Sequence, residues 1–182
     1  PSVGRKVAAE AANSKTGFGG GWLQPGDWRI GAPKTPAGGW ALGRNNTNYP
    51  NVDSTAKVIT ALSMTQLPGM EDFQRKEAIR RGVRWILGMQ GRDGGWAAFD
   101  KDNDNVYARN LHVLDVTNPT DSPRVDITAH VIEALSKLGY DRGFPPVCKA
   151  LTYIRREQED AGSWHGKGSW VLLYVTGAFL TD

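Results

Sequence analysis

The sequence predicts an all-α protein: part of an α/α toroid, an incomplete barrel of inner and outer helices built from repeated helix pairs. Three observations carry this reading. The segment VDSTAKVITALS at 52–63 returns as VDITAHVIEALS at 125–136, with nine of twelve residues unchanged and a displacement of 73 residues from Val52 to Val125. A second segment, RGVRWILGMQGRDGGW at 81–96, returns as KALTYIRREQEDAGSW at 149–164, displaced by 68 residues from Arg81 to Lys149. Apolar residues in these segments recur at helical spacing, and no alternating strand pattern persists.

The elements follow in order. Val58, Ile59 and Leu62 form the apolar side of a first, inner helix, and Val131, Ile132 and Leu135 repeat it in the second unit. Asp53 and Asp126 stand at the mouths of these helices, where a short polar side chain can cap free backbone N–H groups. A turn follows each, LPGMED or GYDRGFPP, and then a more charged outer helix, about residues 72–90 and 145–158. The basic residues Arg75, Lys76, Arg80, Arg81 and Arg84 read as one solvated outer face. Each unit closes with a glutamine, a short spacer and Gly-x-Trp: Gln90 with Trp96, and Gln158 with Trp164. These tryptophans are expected to pack in the turns between units. The glutamines are expected to cap the outer helices and bond the indole or nearby backbone, tying neighbouring pairs together. The whole chain, 1–182, reads as a single partial domain. It opens without methionine and ends directly after an apolar run, so a longer protein is expected.

Composition narrows the function. A net charge of +3, without basic runs interleaved with aromatics, argues against a nucleic-acid partner. The longest apolar patch, Trp170 to Leu180, falls short of the ~18–20 residues of a spanning helix and is broken by Thr176 and Gly177. A single cysteine, Cys148, excludes an internal disulfide framework, and its neighbours suggest plain packing. His112, His165 and Cys148 lack zinc-site spacing. Asp100, Asp102 and Asp104 open like a calcium loop, but Asn105 stands at the glycine position and Leu111 at the closing glutamate. No metal is therefore assigned.

The segments 81–96 and 149–164 fit the so-called QW motif, and a degenerate third copy reads at Gln24-Pro25-Gly26-Asp27-Trp28. With GDWRIGAPKTPAGGWAL, YPNVDSTAKVITAL and VTNPTDSPRVDITAHVIEAL in the same order, residues 27–178 resemble the squalene–hopene cyclases, a class of triterpene cyclases. The resemblance implies an acid-initiated enzyme in which the middle aspartate of a helix-mouth Asp-x-Asp-Asp protonates a terminal alkene. Here those four positions are Asn51, Val52, Asp53 and Ser54, so the middle acid remains and its acidic neighbours do not. By the same resemblance His130 partners the acid. Asp126, four residues before it on one helix face, would orient the imidazole. Phe99, Tyr174 and Trp40 would offer aromatic faces to a migrating cation. Leu42 and Gly43 fall where the family commonly has Phe and Gln, and Gly168 where it has Trp. The resemblance further implies squalene or a related isoprenoid as substrate, no cofactor because the proton starts the reaction, and monotopic attachment to the cytoplasmic membrane. It also admits a homodimer.

Protonating an alkene needs a strong acid, and the sequence leads us to expect that burial holds Asp53 protonated while His130 stabilises its conjugate base. Three other readings compete. Asp53 could be a helix cap alone, since Asp126 fills the same slot. The chain could be a cyclase-like repeat that has lost catalysis and binds an isoprenoid or a protein partner. Or Asp53 and Asp126 could be the paired carboxylates of a toroid glycosidase, which the two QW motifs count against.

Overall fold

The computed structural model describes residues 28–42, 48–103 and 121–164. Within them lie five helices: α1 (Trp28–Gly31), α2 (Val52–Ser63), α3 (Gly69–Met89), α4 (Val125–Lys137) and α5 (Pro145–Arg156). No strand forms among the described residues, only three isolated bridges that clamp loop segments together, such as Trp96 with Arg124.

The two inner helices, α2 and α4, pack on each other, and each packs on its own outer partner, α3 or α5. This two-layer arrangement explains the compositions. α2 buries Val52, Thr55, Ala56, Ile59 and Leu62, one continuous stripe at helical spacing. α4 buries Val125, Ile127, Thr128, Ala129, Val131, Ile132, Ala134 and Leu135, leaving little of its surface polar, as suits a helix covered on several sides. The outer α3 buries only a stripe that includes Ile79, Val83, Trp85 and Met89. It begins at Gly69, three residues earlier than the expected 72. α5 starts on Pro145, whose fixed φ and missing N–H suit the first turn of a helix.

The repeat is a repeat of hydrogen bonds. A helix ends with four carbonyls that lack an intrahelical donor. In α3 one of these, Ile86 O, accepts the Trp96 indole N–H at 2.8 Å; in α5 the matching Ile154 O accepts the Trp164 indole N–H at 2.8 Å. The indoles, rather than the glutamines, therefore cap the outer helices. Gln90 instead spans the closing loop, donating from Nε2 to Gly94 O at 2.9 Å and to Pro146 O, at the start of the next outer helix, at 2.8 Å. Gln158 makes the matching loop bond to Gly162 O at 2.9 Å. Gly94 and Gly162 carry φ of 95° and 79°, the left-handed region that favours glycine, which is why the motif needs glycine two residues before each tryptophan.

On the other side of each loop, the Trp96 backbone N–H donates to Thr128 Oγ1 at 3.0 Å, and Trp40 N–H donates to Thr55 Oγ1 at 2.8 Å. Trp40 thus fills the place that Trp96 fills one unit later. A Cβ on Gly82 would lie 2.6 Å from the Trp40 ring and 3.1 Å from Ile59, which locates that ring between inner and outer helices. Gly38-Gly39-Trp40 makes a further copy of the tryptophan turn, and residues 24–27 of the segment ending at Trp28 lie outside the described residues.

Two further expectations need correction. Arg75 is not on a solvated face. It is buried, held by Asp72, and its Nη1 donates to Leu62 O at 2.8 Å, closing the last turn of α2. Lys76, Arg80 and Arg84 do face solvent. We expect Arg75→Ala to cost about 1–3 kcal/mol of stability, because a buried carbonyl loses a charged donor; urea unfolding measures it, and Lys76→Ala should change little by comparison. Cys148 is exposed rather than packed.

Candidate active site

Asp53 is the second residue of α2, not its cap. The cap is Asn51, in extended backbone, whose side-chain oxygen accepts the Ser54 N–H at 2.9 Å. Asn51, read from the sequence as a lost carboxylate, satisfies the helix start, and the Asp53 carboxylate is left to reach sideways. Its Oδ1 lies 2.6 Å from His130 Nδ1 on α4, and its Oδ2 accepts from Lys57 Nζ at 2.6 Å. Residues 53 and 130 meet because the two inner helices lie side by side.

The His130 bond holds the Asp53 carboxyl well below its ordinary value; burial opposes this, and Lys57 adds to the lowering, leaving it at about 2. Burial was expected to keep this carboxyl protonated, but two nitrogen donors outweigh desolvation. A lower pKa makes the protonated form a stronger acid. It also gives a pH signature. A group whose folded pKa is depressed contributes stability above its unfolded value, here 3.8, and that contribution is lost as pH falls toward about 2. In acid unfolding, Asp53→Asn should therefore remove part of the stability loss between those pH values.

Asp126 does not meet His130. Both of its oxygens are taken by Arg124, the Nε at 3.0 Å from Oδ1 and the second guanidinium nitrogen on Oδ2. Among the described residues no hydrogen bond joins Asp126 to His130, so the orienting role expected for Asp126 is not what this geometry shows.

Phe99 lies in the loop after the Trp96 turn, and the cavity it borders is lined by neither Asp53 nor His130. Its neighbour Ala98 accepts the Val52 N–H at 2.8 Å, joining this loop to the mouth of α2. The Phe99 ring, together with Trp28, Tyr49, Pro50 and Asp100, lines a cavity of ≈ 190 Å³. Asp121 holds the loop in place, accepting the N–H groups of Ala98, Phe99 and Asp100 at 3.3, 2.5 and 2.9 Å. Trp40 is outside this lining, packed between helices as above. Leu42 is 80% exposed. Tyr174, Gly43, Gly168, His112, His165 and Asp104 lie outside the described residues. Asp100 and Asp102 are engaged within the loop, accepting from Asn103 Nδ2 and from Arg92 N–H. Among the described residues no group of three potential ligands could hold a metal ion.

The sequence reading missed Lys57, Arg124, Asp121 and Tyr49. The signal for Lys57 was present, since it stands four residues after Asp53 on a helix, the spacing at which side chains meet.

The described residues thus form a toroid-type stack of helix pairs in which a carboxyl–imidazole pair bridges two inner helices. Comparison with known proteins narrows this to a family. The chain belongs to the squalene-hopene cyclase family: the Squalene-hopene cyclase C-terminal domain matches residues 20–181. It is similar to the squalene–hopene cyclase of Alicyclobacillus acidocaldarius, at 40% identity over 157 residues, covering 86% of this chain and 25% of that protein. It is similar to a probable squalene–hopene cyclase of Sinorhizobium fredii, at 38% identity with 96% and 28% covered, and to a squalene–hopene cyclase of Schizosaccharomyces japonicus, at 38% identity with 85% and 22% covered. The chain spans about a quarter of the length of these curated relatives. Membership in this family replaces the glycosidase reading.

Proposed function

We propose that the protein carrying this chain cyclises squalene to a hopanoid-type triterpene, with Asp53 as the proton donor. The observation that carries the reading is the 2.6 Å contact between Asp53 Oδ1 at the mouth of α2 and His130 Nδ1 in the second turn of α4. The O–H bond of protonated Asp53 breaks and its proton forms a C–H bond at the less substituted carbon of squalene's end alkene. The alkene's electron pair supplies that bond and leaves a tertiary carbocation. Each ring closure then uses the electron pair of the next alkene. Loss of a proton at the end gives an isomer of squalene; capture of water gives an alcohol. His130 stabilises the carboxylate that remains, and the Phe99 face stabilises the passing cation. In this reading the enzyme is an isomerase by its main product.

Squalene dissolves in lipid, so the protein is proposed to sit monotopically on the cytoplasmic membrane. No described helix is long and apolar enough to cross a membrane. Incubating the whole protein with squalene vesicles and analysing the extracted lipids tests the function.

A second reading, a cyclase-like repeat that binds an isoprenoid or protein partner without turnover, draws on the Lys57 ion pair and on the absence of carboxylates at Asn51 and Ser54. A new cyclic product in the extracted lipids excludes it.

A further inference from the structure

Lys57 and His130 occupy the same slot of the repeat. Each is the fourth residue after the aspartate at the mouth of its inner helix, within the matched segments 52–63 and 125–136. The two units use that slot differently. In the first, Lys57 folds back on its own aspartate; in the second, His130 leaves its own aspartate to Arg124 and crosses to Asp53. Asp53 therefore receives the slot residue of both units, one on each oxygen and each at 2.6 Å.

We infer that Lys57 is a positioning residue for the proton donor: by holding the Oδ2 edge of Asp53 it fixes the carboxyl against His130. The inference deepens the proposed function and rests on it for the catalytic step. Its physical basis is simple. A carboxylate with a nitrogen donor on each oxygen is fixed against rotation about its terminal torsion. An ammonium at hydrogen-bond distance favours the ionised form. Lys57 on its own helix and His130 on α4 are the described groups whose charges act on Asp53. Arg124 and Asp126 at the start of α4 are closed on each other, and α3, where Glu77 is bound to Arg80 and Arg81, adds none. The Lys57 side chain is 60% exposed, so water screens its effect.

The test uses the whole protein in native, Lys57→Met and Lys57→Arg forms, with two readouts. The first is isotope-edited infrared titration of carboxyl groups, with the Asp53 band assigned by its disappearance in Asp53→Asn. Lys57→Met should raise the Asp53 titration by on the order of one pH unit, and Lys57→Arg should restore it. The second is squalene conversion against pH, whose descending limb should move upward by the same amount in Lys57→Met alone. An Asp53 titration unchanged in Lys57→Met overturns the inference. A shift as large in Lys57→Arg overturns it too, because charge is then not the cause. A limb that stays while the titration moves overturns the catalytic half. If the titration moves as expected but no form converts squalene at any pH, the cyclase reading fails while Lys57's hold on Asp53 stands.

Discussion

Asp53→Asn in the whole protein should lower squalene conversion by about 10³-fold or more, with the protein still folded. A general acid in place contributes roughly 10²–10⁴-fold. An amide keeps the shape and can still bond His130, so loss of fold does not explain loss of turnover. Asn51, not Asp53, caps α2, so the helix start survives the substitution. His130→Ala should give a smaller loss, because it removes the partner that strengthens the acid and leaves the acid itself. Steady-state conversion assays on both variants, with circular dichroism as the check on folding, measure this. Full activity in Asp53→Asn would mean that the 53–130 contact is only a tie between helices.

The largest effect on stability is expected from Trp96→Ala, on the order of 3–5 kcal/mol. Trp96 is fully buried, so its removal leaves a large cavity between two units. The variant also strips Ile86 O of its indole donor, at a cost of about 1 kcal/mol. Against a typical domain stability of roughly 5–15 kcal/mol, that is enough to leave the protein marginal. Trp96→Phe should cost less, since a large ring remains and mainly the hydrogen bond is lost. Trp164→Ala should also cost less, because Trp164 is only partly buried among the described residues. Denaturant unfolding of the three variants orders them, and equal losses for Trp96→Ala and Trp96→Phe would put the cost on the hydrogen bond rather than on burial.

What the sequence made legible was whatever the repeat fixed twice. The inner and outer helices and the tryptophan turns follow from two matched units, whereas the pairing of Asp53 with His130 was legible only through the family resemblance. Residues whose role depends on one local geometry were not legible. Asn51 and Asp53 are both good capping types, and only the backbone decides that the helix starts after Asn51. Arg75 looks like its neighbours in composition, yet it alone turns inward to reach the end of α2. Asp126 and His130 are spaced to meet on one helix face, but Arg124 captures the carboxylate and Asp53 captures the imidazole. Trp40 was read as an aromatic face for the cation, whereas its backbone bond to Thr55 marks it as another tryptophan of the repeat. Lys57 escaped notice because its slot carries histidine in the second unit, and the match of position was hidden by the change of type.

The most direct test of proton donation by Asp53 is squalene conversion by the whole protein in heavy water. One non-exchangeable deuterium, located by mass spectrometry and NMR at the first-ring methylene carbon next to the gem-dimethyl carbon, is expected in the product of the native protein, and no product from Asp53→Asn. A product without that deuterium, or a deuterated product made equally well by Asp53→Asn, would contradict it.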